Sequence, residues 1–338
     1  MIRPDEQLIF FPTLARPIGD GRWDAHLHGV LFKPELGSMK RKLFIRAIAR
    51  AAGVRHDEIA GPRLAERLHA FLADNKRRRT VRVRIGDEVC ELGPSAPSGH
   101  LRGCVVLKHA EHATIDYSTL DDECPDRAFT GRVHLLPSSG ISVVCDIDDT
   151  IKHSNVPDIR DLLRNTFVRP YRAVGPVVAL CRTLAASGAA FHYVSASPWQ
   201  LYPALSAFMR VRSVPDGTFH LKRFRLKDSS ALALLSPPER LKRSVIEPLL
   251  RGWPRRSFIF IGDSAERDPE IYGDLARRFP RQAAAVIIRD ITADSIDSVR
   301  YQSAFDSVPR DSVHIINDTG DWAQAAVAAL ERGSSRVR

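Results

Sequence analysis

"ISVVCDIDDT", residues 141–150, decides how this 338-residue chain is read. It opens as an apolar strand candidate over 141–147 and brings Asp146, Asp148 and Asp149 together within four positions. Carboxylates this close destabilise one another unless positive charge lies between them. Residues two apart on a strand face the same side, so a straight strand would point Asp146 and Asp148 toward one cation. Working outward, further apolar strand candidates at 191–195, 258–262 and 284–290 alternate with helix-like stretches. That alternation predicts an α/β unit on a mainly parallel sheet, with ligands bound beyond the carboxyl ends of the strands.

Upstream of the linker LPSSG (136–140) the rhythm changes. Segments 80–85, 100–107, 113–119 and 128–136 alternate with strand period and are punctuated by Gly, Pro and Ser. They predict a β-rich, sandwich-like N-terminal domain over 1–138. A helical insertion is expected at about 37–75, with Met39, Leu43, Ala47, Ile48 and Ala51 on one face. Lys42, Arg46 and Arg50 recur beside that face. They read either as an interfacial stripe or as solvated charges on a helix packed against its own β-domain. The α/β domain is expected over 139–325, and ERGSSRVR predicts a flexible tail over 326–338.

The composition, 44% hydrophobic and 27% charged, is that of a soluble globular protein. No run approaches the roughly 18 apolar residues that span a bilayer. The apolar stretch near the N-terminus is too short for a signal peptide, so a cytoplasmic location is expected. The five cysteines are scattered without CxxC spacing; they predict buried thiols rather than a zinc site or disulfides. The net charge of +10 favours an anionic partner. The basic run KRRR (76–79) raises nucleic acid, but no nucleic-acid fold signature accompanies it and no such partner is expected.

Phosphate ester cleavage would use the opening stretch well. A carboxylate attacks an anionic phosphoryl group only if a cation offsets both charges. A second acid must protonate the leaving alkoxide and then activate water. An isolated DxD is also what sugar-nucleotide transferases use to hold a metal. The order of the residues downstream of it argues that this DxD marks a site: Ser195 ends one strand candidate, Lys242 opens a helix-like stretch, and GDSAERD (262–268) supplies Asp263 and Asp268. His153 and His192 have no partner at metal-ligand spacing and read as structural.

This order resembles the haloacid-dehalogenase (HAD) type of phosphohydrolase, with its DxDxT pattern at Asp146, Asp148 and Thr150. The stretches "DIDDTIKHSNV", "FHYVSASPWQLY", "PDGTFHLKRFRLKD" and "GDSAERDPEIYGDLARRFP" are similar to the actin-patch-type phosphatidate phosphatase family, and more distantly to lipin catalytic domains. The resemblance implies a HAD-like Rossmannoid catalytic domain and a Mg²⁺-dependent phosphatidate phosphatase. Asp146 would be nucleophile and metal ligand. Asp148 would be general acid/base, with its main-chain carbonyl also on the metal. Asp263 would complete the Mg²⁺ site, Thr150 would support the loop and Asp148, and Ser195 and Lys242 would hold the phosphoryl group. Asp268 would orient Lys242 or a metal-bound water. Asp149 stays open between a loop carboxylate and a group behind the site that orients the phosphate.

Around the site, Lys152 reads as a headgroup contact or a solvated surface lysine. Trp199 and Tyr202 read as a substrate entrance or as packing. Arg223, Arg225 and Lys227 read as a basic strand face for anionic lipid or as an ordinary solvated face. The expected partners are phosphatidate or another phosphomonoester, with transient contact at the inner membrane surface. The alternatives are a phosphatase for soluble or protein-bound esters and a non-catalytic anionic-lipid-binding module.

Overall fold

The computed structural model describes residues 2–34, 39–54, 62–108, 112–120, 127–223, 239–295 and 297–337. It divides into two compact units. The first holds Met1–Leu43, His69–Ser138 and Gly217–Phe219; the second holds Phe44–Leu68, Ser139–Asp216 and His220–Arg338.

The first unit is built from β1 (Gln7–Phe10), β2 (Thr13–Gly19), β3 (Arg22–Pro34), β4 (Ala73–Asn75), β5 (Val81–Ile85), β6 (Glu88–Leu92), β7 (His100–Lys108), β8 (Thr114–Thr119) and β9 (Thr130–Leu135). Seven of these run in the order β1-β3-β2-β9-β8-β5-β6, while β4 and β7 also pair with β3. The β2–β3 turn has positive φ at Gly19, Asp20 and Gly21, backbone that glycine and aspartate reach at little cost. Alternate residues such as Ala25, Leu27, Val83, Ile85 and Val133 turn inward onto one apolar core. The strands are joined by continuous pairing, with β2 antiparallel to β3 and parallel to β9. In the KRRR run, Lys76 pairs with Asp74 and Arg79 with Glu6, so half of its charge is taken up locally.

Two helices follow β3: α1 (Met39–Ala51) and α2 (Pro62–His69). The buried side of α1 carries Phe44, Ile48 and Ala49, and Ala52 just beyond its end is buried too. Leu43, Ala47 and Ala51, expected on the apolar face, are exposed alongside Arg46 and Arg50. The large Phe44 ring sets which side turns inward, and the expected stripe is rotated accordingly. Segment 44–68 belongs to the second unit rather than to the β-domain that precedes it. There the buried Arg67 donates to the carbonyls of Thr166 and Arg169 and lies 3.7 Å over the Tyr171 ring.

The second unit has a six-stranded sheet. Its strands are β10 (Ser139–Cys145), β11 (Ala190–Pro198), β12 (Gly217–Lys222), β13 (Arg255–Asp263), β14 (Ala283–Arg289) and β15 (Val313–Ile316). Of the edge strand β12 the unit holds only His220–Lys222. Their order is β12-β11-β10-β13-β14-β15, and β10 pairs in parallel with β11 on one side and β13 on the other. Counted along the chain this is 3-2-1-4-5-6, so the connections reverse direction at β10. Doubly wound sheets open their ligand crevice at the carboxyl end of such a switch point. The helices are α3 (Ile159–Phe167), α4 (Gly175–Ala186), α5 (Tyr202–Val211), α6 (Glu239–Gly252), α7 (Asp268–Arg278), α8 (Val299–Ala304) and α9 (Trp322–Val337).

Helix α9 corrects the expected tail: residues 326–337 continue a helix that packs on β10, β13 and β14. Buried Ala325, Ala326 and Ala329, with Gly333 close against Ile141, let its backbone approach the sheet. The polar GSSR ending hides that small-residue face. Cys145 and Cys181 are buried as expected and Cys90 is half-buried, but Cys104 is exposed; Cys124 lies outside the described residues. Among the described residues no helix is long and apolar enough to cross a membrane.

Candidate active site

Four elements deliver charged or hydroxyl groups to the carboxyl end of β10. The strand stops at Cys145, and the Asp146 N–H donates to the Ile261 carbonyl of β13 at 2.9 Å. Asp263 is the last residue of β13, Ser195 lies on β11, Asp268 opens α7, and Lys242 projects from α6.

One cluster centres on Lys242, which is 0% exposed. Its Nζ is 3.2 Å from Asp146 Oδ1 and 3.0 Å from Glu266 Oε2, and it donates a short bond to Asp268 Oδ1. Burial opposes the ammonium charge, but Asp146, Asp268 and Glu266 outweigh it and hold the lysine pKa well above its ordinary value. Burial drives the Asp146 carboxyl well above the usual range, and Asp268, Glu266 and Asp263 add to this against the pull of Lys242. Asp263 is raised in the same way, by burial and then by Asp268. Carboxylates thus crowd around a single ammonium, and the cluster is short of positive charge.

The residues present fit a hard divalent cation. Asp146, Asp263 and Asp268 each offer an oxygen within 4.8 Å of the other two, and Asp146 Oδ2 is buried with no hydrogen-bond partner. An all-carboxylate donor set suits Mg²⁺ rather than a soft metal. Asp263 is held in place by Thr150 Oγ1, which donates to Oδ2 at 3.2 Å, and by the N–H groups of Ala265 and Glu266 on Oδ1. Thr150 therefore supports Asp263, not Asp148 as expected, because its hydroxyl faces β13. Gly262 has no room for a Cβ, which would come within 2.2 Å of Asp268 Oδ2.

The Asp148 side chain belongs to a second cluster. Ser195 Oγ and Ser197 Oγ donate to its Oδ2 at 2.9 and 2.7 Å. Ser154 Oγ donates to Oδ1 at 2.7 Å, and Lys152 Nζ lies 2.8 Å from the same oxygen. Burial alone would raise this carboxyl; the Lys152 charge and the bonds from Lys152, Ser197 and Ser154 overcome it and hold Asp148 well below the usual carboxylate range. Asp146 and Asp148, two residues apart, thus face different neighbourhoods, because the chain has left the strand and no longer alternates.

Lys152 corrects both readings of it. It is 1% exposed, neither a solvated surface lysine nor an outward headgroup contact. It bonds Ser154 Oγ and sits 5.0 Å over the Tyr171 ring, so its burial rests on the Asp148 charge and an aromatic face. Asp149 is likewise a loop carboxylate rather than a phosphate-orienting one. Its oxygens accept from the N–H groups of Ser154, Asn155 and Val156 at 2.7, 2.8 and 2.6 Å, and its carbonyl accepts from Arg289. It does this at a left-handed φ of 54°. Asp149→Ala should therefore cost about 3–5 kcal/mol of unfolding free energy, since three N–H groups lose a charged acceptor and alanine must hold a strained backbone. Urea denaturation checks this; a loss under about 1 kcal/mol would contradict the loop role.

Beside Asp148 lies a cavity of about 330 Å³. Its walls are mainly apolar, with Val156, Ile159, Leu162, Leu163 and Phe167 on one side and Pro198 and Leu201 on the other; Ser197, Glu266 and Arg267 also line it. Helix α3 supplies most of the apolar wall, and Asp158 caps its N-terminus by accepting from Asp161 N at 3.0 Å. Of the two readings of Trp199 its burial fits packing and not a substrate entrance, and Tyr202 is half-buried; neither lines the cavity. Arg223 is exposed just past the end of β12, while Arg225 and Lys227 lie outside the described residues. His192 is buried against Ser142, at 3.2 Å from its Oγ.

Ser154, Ser197 and Glu266 are site residues that sequence reasoning passed over, and Lys152 is one whose place it misjudged. Ser197 carried a usable signal, being two residues beyond Ser195 on one strand face. Glu266 sits inside the acidic loop already singled out. Lys152 and Ser154 are buried by the way the loop after β10 folds back on Asp148 and Asp149, a path that residue type alone does not show.

Comparison with known proteins bears on the same segment. Residues 141–290 match the family model described as the catalytic domain of phosphatidate phosphatase APP1. An uncharacterized protein of Schizosaccharomyces pombe, C29B5.04c, is 30% identical over 200 residues, covering 58% of this chain and 32% of that protein. Phosphatidate phosphatase APP1 of Saccharomyces cerevisiae is 29% identical over 203 residues, covering 59% of this chain and 32% of that protein. The chain thus matches about a third of the length of each of these relatives.

Proposed function

From the membership of residues 141–290 in the APP1-type phosphatidate phosphatase family, we propose that the chain is a Mg²⁺-dependent phosphatidate phosphatase releasing diacylglycerol and phosphate. The observation that carries this reading is the meeting of two unlike surfaces: the Asp146–Lys242–Asp263 cluster, which with a divalent cation would take a phosphoryl dianion, and the apolar cavity that begins at Asp148. A small polar metabolite would use only the first surface, whereas a phosphomonoester with a long apolar tail makes use of both.

The carboxylate of Asp146 attacks phosphorus and forms an aspartyl-phosphate, with the leaving alkoxide taking its proton from Asp148. Asp148 then accepts a proton from the water that cleaves this ester, regenerating Asp146. In the arrangement described, Lys152 and the serines favour the ionised, proton-accepting form of Asp148, suited to the second half-reaction. An incoming phosphoryl dianion favours proton uptake by the same carboxyl, as the first half-reaction requires. Lys242 offsets the phosphoryl charge, and Ser195 and Ser197 aim Asp148. Mg²⁺, held by Asp146 and Asp263 with Asp268 beside them, would supply the positive charge the cluster lacks. Ile159, 52% exposed at the cavity, would meet an acyl chain at a membrane surface.

The test is phosphate release from phosphatidate in mixed micelles and from a panel of soluble phosphomonoesters, with Mg²⁺ or EDTA. Turnover of phosphatidate that EDTA abolishes is expected. Turnover of soluble esters alone would overturn the lipid substrate, and vesicle binding without turnover would leave a binding module. Leu162→Asp should lower kcat/KM for long-chain phosphatidate by about tenfold or more, the worth of one buried leucine contact. The same change should alter kcat/KM for a small soluble ester far less; equal losses on both would remove the cavity from substrate binding.

A further inference from the structure

We infer that Asp24, His26 and Cys104, on adjacent strands of the first unit, form a binding site for a borderline-soft divalent metal ion of the zinc class, separate from the catalytic carboxylates. His26 of β3 and Cys104 of β7 are directly opposite one another in the antiparallel register. Asp24 lies two residues before His26 and so shares its face, while Ala25 and Leu27 between and beyond them turn into the core. An exposed cysteine is out of place on a strand surface, since free cysteine is among the most buried residue types. Here it lies beside a histidine and an aspartate, the two other side-chain types that ligate zinc.

The distances suit the assignment. Cys104 Sγ is 3.4 Å from His26 Nδ1. Tetrahedral zinc with bonds of about 2.3 Å to sulfur and about 2.0 Å to nitrogen separates those two ligands by roughly 3.5 Å. One ligand oxygen of Asp24 is within 4.8 Å of both. Asp24 Oδ2 now lies 3.4 Å from His26 Nε2 and 3.1 Å from Arg16 Nε. Arg16 is exposed, and ion pairs of that kind are worth about 0–1 kcal/mol, so a metal held between Cys104 Sγ and His26 Nδ1 has a weak contact to displace there and a second one at Nε2 before Asp24 ligates it. Thiolate and imidazole select zinc, cobalt or copper over Mg²⁺, which separates this site from the all-oxygen one at Asp146. Three protein ligands leave a fourth position for water. The sequence spacing hides the site because the cysteine and the histidine meet only through strand pairing.

The experiment is titration of the full chain with Co²⁺, followed by competition with Zn²⁺. A thiolate-to-cobalt charge-transfer band in the near ultraviolet is expected, and equimolar Zn²⁺ should abolish it. Asp263→Asn should keep the band, because oxygen ligands do not produce it. Cys104→Ser should remove it, and His26→Ala and Asp24→Asn should each weaken Co²⁺ binding by about tenfold or more. The absence of a band at millimolar Co²⁺, or its survival in Cys104→Ser, would overturn the proposal. So would unchanged affinity in His26→Ala, which would mean a thiol binding metal alone.

Discussion

Asp146→Asn should abolish phosphate release, by about 10⁴-fold or more, and leave the protein folded. The amide has the size of the carboxylate but cannot form an acyl phosphate. Stability should not suffer, because Asp146 is a strained participant in its own cluster: burial and then the charges of Asp268, Glu266 and Asp263 disfavour its ionised form. Lys242 keeps Glu266 and Asp268 as partners after the substitution. Circular dichroism should therefore show an unchanged spectrum, with a thermal midpoint in EDTA equal to or above that of the parent. Activity within tenfold of the parent would place the nucleophile elsewhere.

Lys242→Met should have the opposite profile, losing activity and stability together. The ammonium is wholly buried among Asp146, Glu266 and Asp268, and removing it strands like charges in a low-dielectric site. Breaking a buried ion pair from one side costs about 3–5 kcal/mol. A bound cation would restore part of the missing positive charge, so Mg²⁺ should raise the melting temperature of Lys242→Met more than that of the parent. Paired denaturation curves with Mg²⁺ or EDTA test this. A variant as stable as the parent in EDTA would mean that the carboxylates are mostly protonated and that Lys242 is not their counter-charge.

The site was legible in the sequence where chemistry coincides with strand ends. Asp146, Ser195 and Asp263 lie at or near the carboxyl ends of strands readable from short apolar runs, and Lys242 falls between the last two in chain order. The parallel sheet was visible for the same reason: β10, β11, β13 and β14 are nearly continuous apolar segments, as strands buried on both faces must be. What escaped was set by how the chain turns after a strand and by what it then packs against. A lysine defaults to solvent, and only Asp148 together with Tyr171 makes the burial of Lys152 tolerable. Helix α9 was hidden because alanine and glycine give little apolar signal, although their small size is what permits its close approach to the sheet. The rotation of α1 and its assignment to the second unit depend on Phe44 and Arg67 finding their places there.

Asp149 shows what a saturation scan across this loop would record. Glycine would accept the left-handed backbone but offer no acceptor for the three N–H groups of residues 154–156. Asparagine would keep one acceptor oxygen, and glutamate would overshoot the turn. The position should tolerate substitution about as poorly as Asp146 while never touching phosphorus. Intolerance in this loop would thus mark two separate demands, reactivity at Asp146 and loop closure at Asp149. Soluble expression of each variant, scored beside its turnover, would tell them apart.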